Sequence, residues 1–80
     1  MSLKKSIEAS LVELEQKSLQ QIQVETAIKW AGRACAAAML DRHDEAHEFA
    51  HEAIEHAALS NDDRLLKQIR LAFVRYGVEG

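Results

Sequence analysis

Residues 30–58 read WAGRACAAAMLDRHDEAHEFAHEAIEHAA, and the spacing of their apolar positions decides the fold. Before Asp41, the residues Ala27, Ile28, Ala31, Ala34, Cys35 and Ala38 recur every three or four positions; beyond Asp44, Ala46, Phe49, Ala50, Ala53, Ile54 and Ala57 do the same. That is the period of a helix with one apolar face, so the stretch predicts a helical hairpin whose turn is residues 41–44. Alanine dominates both faces. Such helices can approach closely but bury little area per residue, so the hairpin needs further neighbours.

Upstream, Leu3, Ile7, Leu11, Leu14, Leu19 and Ile22 lie about a helical turn apart with charged residues between them, which predicts an amphipathic helix over about 3–20. Ser2 is a candidate N-cap, and Ser10 with Glu13 has capping-box spacing for a later start. A change of apolar phase and Thr26 as an N-cap candidate place a break at residues 20–26, followed by a second helix over 26–40. With no glycine or proline in that interval, one helix running through residue 40 is the alternative. The third helix covers about 44–59, with the carboxylates of the turn suited to its positive end. Ser60 and Asp63 have capping-box spacing for a fourth helix over about 62–76. Its apolar side carries Leu65, Leu66, Ile69, Ala72, Phe73 and Tyr76, and Gly77 is placed to end it in the left-handed conformation.

The expected fold is therefore all-α, three to four helices in a single domain over residues 1–80. Its 48% hydrophobic and 29% charged residues are ordinary for a globular chain, and the absence of proline with only three glycines favours helix over sheet. A chain this short buries only about 60–65% of the surface it exposes unfolded, so its core is expected to be thin. No apolar run approaches the roughly 18 residues of a membrane span, and MSLKKSIEAS lacks the apolar core of a signal peptide. A cytoplasmic protein without membrane contact is the expectation. Met1, Ser2, Leu3, Glu79 and Gly80 are assigned no function. The single cysteine, Cys35, forms no internal disulfide and reads as a small buried hydrophobe.

Net charge is −3, unevenly spread: +1 over residues 1–40, −5 over 41–59 and +1 over 60–80. Glu45, Glu48, Glu52 and Glu55 form an acidic outer face on the third helix, and Arg64, Lys67, Arg70 and Arg75 a basic face on the fourth. A small nucleic-acid-binding helical domain using that basic face is one alternative function. The overall charge opposes it, and no run resembles a helix-turn-helix recognition pair.

His47-Glu48-Phe49-Ala50-His51 spells H-E-x-x-H, in which two histidines one turn apart hold zinc and the glutamate acts as a base. His47 and His51 are thus candidate metal ligands, and a metal-binding helix or zinc hydrolase is a second alternative. Catalysis needs a third ligand, which a straight helix does not provide: His56 falls on the other flank, and His43 lies eight residues before His51, about 12 Å along the axis. Solvated histidines, no enzyme activity and no cofactor are the expectation. There is no glycine-rich phosphate loop and no Ser/His/Asp constellation.

The hairpin resembles a tetratricopeptide repeat, a helix-turn-helix unit of roughly 34 residues. Trp30 matches the large aromatic of the first helix and Ala34 the small residue one turn later; residues 40–46, LDRHDEA, match the turn and the alanine opening the second helix, and Ala53 the next packing alanine. The resemblance covers about residues 27–60. It departs at Arg33, where leucine is usual, at Ala37 and Ala50, where aromatics are usual, and at Ala58, where proline closes the unit. No second copy appears on either side. The resemblance implies a degenerate single repeat, or a look-alike hairpin, packed through Trp30, Ala34, Ala46 and Ala53, to which the apolar spacing adds Phe49 and Ala50 as packing residues. Since about three stacked units are needed for stability, the missing burial is expected from the flanking helices or from a second chain. The function expected is protein–protein contact with an unidentified protein partner and self-association as a homodimer, through the first helix or the Trp30 face.

Overall fold

The computed structural model describes residues 2–78, with side chains from Ile7 onward. Met1, Glu79 and Gly80, and the side chains of Ser2, Leu3, Lys4, Lys5 and Ser6, lie outside what is described, and with them the Ser2 cap. The described chain is all-α, with three helices: α1 (Ser2–Met39), α2 (His43–Leu59) and α3 (Asp63–Arg75). Its extents are 61 × 18 × 12 Å, and the long dimension is that of α1.

The expected break at residues 20–26 is absent: helices 3–20 and 26–40 are one α1, and Ser10 lies within it rather than at its start. Hydrogen bonding along a helix is indifferent to which side is apolar, and residues 15–26 are largely glutamate, glutamine and other good helix formers. The phase change marks a change of neighbour. At about 100° per residue, Ala27 and Ala34 lie roughly half a turn around the axis from Ile7 and Leu11. The first half of α1 therefore turns its apolar stripe away from the side on which the second half packs.

The second half of α1 and α2 form the hairpin. Ala27, Ala34, Ala37 and Ala38 of α1 and Ala46, Ala50, Ala53 and Ala57 of α2 are buried in one core. Its other buried apolar members among the described residues are Ile69, Phe73 and Val78, supplied by α3 and its cap. An alanine methyl contributes about 0.8 kcal/mol on burial, against about 1.5–3 kcal/mol for a larger apolar side chain, so this seam is narrow and weak for its length. Trp30 closes one side of it, 5.5 Å from Phe49 between ring centroids, with the Arg33 guanidinium 5.0 Å above the indole.

Each helix ends in a left-handed residue. Asp41 (φ 63°) ends α1, with Arg42 N donating to Ala37 O at 2.8 Å and Asp41 N to Ala38 O at 3.1 Å. Gly77 (φ 77°) ends α3 in the same way: Val78 N donates to Phe73 O and Gly77 N to Val74 O, which sets buried Val78 against Phe73. At the end of α2, Asn61 (φ 59°) takes that place, but Ser60 Oγ intervenes, donating to Ala57 O at 2.6 Å and accepting from Asp62 N at 3.3 Å. Ser60 thus closes α2, and the N-cap of α3 is Asp62, whose carboxylate accepts from Leu65 N at 3.0 Å. The Ser60/Asp63 capping box does not form.

Two polar clasps tie this corner to α1. Gln20 Nε2 donates to Ser60 O at 2.7 Å, and Gln23 Oε1 lies 2.6 Å from His56 Nδ1. The expected break therefore carries the last side-chain hydrogen bonds between α1 and the bundle among the described residues, and Gln16 and Leu19 border a shallow hollow with Leu59 and Asn61 just beyond them. Beyond these hydrogen bonds residues 2–19 project as an arm about 27 Å long.

Candidate interaction surface

The arm is the part of the molecule with the most unsatisfied apolar surface. Ile7, Leu11, Leu14, Leu19 and Ile22 are 54–61% exposed, and every described side chain from Ile7 to Ile22 is open to solvent. An isolated helix of this length is marginal in water even with favourable composition. A contiguous apolar stripe on it marks a contact surface.

A second apolar feature adjoins it along α1. Where α3 lies against α1, a groove is left open, walled by Ile28, Gly32, Cys35 and Met39 of α1, by Leu65 of α3 and by its C-cap Tyr76. Ile28 and Met39 are largely exposed, and nothing lies within 4 Å of where a Gly32 side chain would begin. Cys35 sits half-buried in this groove, and burial pushes its thiol up, which disfavours the reactive thiolate. The spacing of apolar residues does not reveal the groove; its one signal in the sequence is a mid-helix glycine that packs against nothing in its own chain.

The six expected packing residues divide. Ala34, Ala46, Ala50 and Ala53 are in the seam, and half-buried Trp30 and Phe49 cover its flank. Together with His47, Glu48, His51 and Glu52, these two aromatics line an open hollow. His47 and His51 are both exposed, and His51 Nε2 lies 3.1 Å from Glu55 Oε1. Among the described residues no three His, Cys, Asp or Glu side chains are grouped to hold a metal ion, so this hollow offers at most two donors where a hydrolytic zinc requires three. His43 lies 3.2 Å from Asp41, and His56 faces Gln23 and Glu52, so neither completes a set with His47 and His51.

On α3, Arg64, Lys67, Arg70 and Arg75 are all exposed, with Arg70 flanking the buried side of Ile69 and Phe73 and the others away from it among exposed Leu71 and Val74. None of the four is paired with a carboxylate among the described residues. No helix among the described residues is long and apolar enough to cross a membrane. No family model matches the chain, and neither does any curated protein or solved structure.

Proposed function

We propose that this chain is a small cytoplasmic protein-interaction module that acts by associating with itself and carries no chemistry of its own. The observation behind this reading is the apolar stripe on the first part of α1, where Ile7, Leu11, Leu14, Leu19 and, at the base of the arm, Ile22 are each more than half exposed. Fully burying such a side chain contributes about 1.5–3 kcal/mol, and a partner that covers the stripe recovers the share, a little over half, that each still exposes. The alanine hairpin resembles one degenerate tetratricopeptide unit, and its role here is to hold α1 rigid and present the arm.

Multi-angle light scattering at tens of micromolar is expected to return twice the chain mass of 9.0 kDa, falling toward a single chain when Leu11 and Leu14 are both replaced by Glu. A 9.0 kDa species for the unaltered protein would contradict self-association.

A further inference from the structure

We propose that α1 pairs with α1 of a second copy, antiparallel and centred near Gln23, so that the arm of each chain lies along the α1–α3 groove of the other. The proposal rests on the self-association reading and gives it a geometry. Alternating steps of four and three from Ile7 to Met39 trace a single seam down α1, the seven-residue period of a left-handed helix pair. Every member of that seam is exposed except half-buried Cys35. It is apolar at both ends and polar in the middle.

A second copy of the chain matches both ends at once. Laid antiparallel on itself, the seam brings Ile7 against Met39, Leu11 against Cys35 and Leu14 against Gly32 of the second copy, each layer repeated by the two-fold axis. Large arm residues thereby meet the small or flexible residues of the groove. Gly32 gains a reason: a mid-helix glycine costs about 1 kcal/mol relative to alanine, nothing in its own chain requires it, and here it admits Leu14. At the centre, Gln21 meets Glu25 of the second copy, the polar layer that fixes register in such pairs.

The flanks agree. The same register places Glu15 beside Lys29 of the second copy, twice over, and Ile22 beside its own equivalent. Ile7, Leu11, Leu14, Ile22, Ile28 and Met39 are each 53–70% exposed, so the seam offers six large apolar side chains per chain to the interface before α3 contributes.

The test uses Cys35 of the natural chain. In a Leu11→Cys variant, the two thiols of one chain are separated by 24 residues of helix, about 36 Å, and cannot bridge each other. A mild oxidant is expected to convert most of this variant to a covalent dimer whose peptide map joins the thiol introduced at position 11 of one chain to Cys35 of the other. The unaltered chain, with both Cys35 residues far from the two-fold axis, is expected to give none. Because the substitution trims the seam, the unaltered chain is also treated with a zero-length carbodiimide, and a Glu15–Lys29 cross-link between chains is expected. These groups are about 21 Å apart within one chain. A light-scattering dimer lacking both cross-links, or one cross-linked through Cys35 to Cys35, would overturn the antiparallel register while leaving self-association intact; a monomer would overturn both.

Discussion

Replacing Phe73 by Ala is expected to lower stability by about 3–5 kcal/mol, the range for removing a fully buried aromatic side chain. Phe73 is 0% exposed, the largest fully buried side chain among the described residues, and its core otherwise consists mainly of alanine. Few neighbours are large enough to collapse into the space left, which places the cost toward the upper end of that range. A chain of 80 residues is stable by only about 4–12 kcal/mol in all, so the loss is a large share of the total. Phe73 and Ile69 are the buried apolar side chains of α3, so α3 is expected to come away from the hairpin first. Urea unfolding followed by far-UV circular dichroism, at one fixed protein concentration, measures this. Leu71→Ala, on the exposed side of the same helix, is the control and should shift stability by no more than about 0.5 kcal/mol. Equal midpoints for the two variants would mean that α3 packs by another face.

Enlarging Ala50 to Leu is the second large effect, about 1–3 kcal/mol of destabilisation through overpacking. Ala50 is 4% exposed and lies in the α1–α2 seam with Ala46 and Ala53, both 0% exposed. Added methylenes there have no space unless the helices part, which would uncover the other seam alanines. Ala58→Leu, on the exposed flank of α2, supplies the comparison, and leucine is nearly as good a helix former as alanine. If Ala50→Leu unfolds at the same urea concentration as Ala58→Leu, the seam is not where α1 and α2 meet.

Those seam positions are legible in the sequence because their three- and four-residue spacing is what a helix converts into a face, and Gly77 stands where a left-handed cap is needed, whereas the left-handed Asp41 gives no such signal. The expected break between residues 20 and 26 fails for an instructive reason. A reversal of apolar phase looks like the end of a helix when all burial is assumed to lie within one chain, yet α1 passes straight through with its two halves facing opposite directions. Ser60 misleads through the same economy of local pattern: its spacing to Asp63 fits a capping box, but its hydroxyl is taken by Ala57 O, and Asp62 caps α3. Gln20 and Gln23 carry no signal at all, since a glutamine that clasps a distant carbonyl or imidazole looks like any solvated glutamine. The H-E-x-x-H run is plain in the sequence, and the structure places its two histidines on an open face with no third donor grouped beside them among the described residues. What a one-chain reading leaves without explanation, the exposed arm and Gly32, is what the paired arrangement accounts for.

Amide hydrogen exchange along the arm tests the central claim most directly, because it reports whether residues 7–19 are held by a neighbour. An uncovered helix end frays from its terminus, whereas a paired one is further protected by the free energy of association. The account predicts clear protection over residues 7–19 at tens of micromolar, lost on dilution while residues 27–60 stay protected as long as the hairpin remains folded. Arm amides exchanging at unstructured-chain rates at every concentration, beside a protected hairpin, would contradict it.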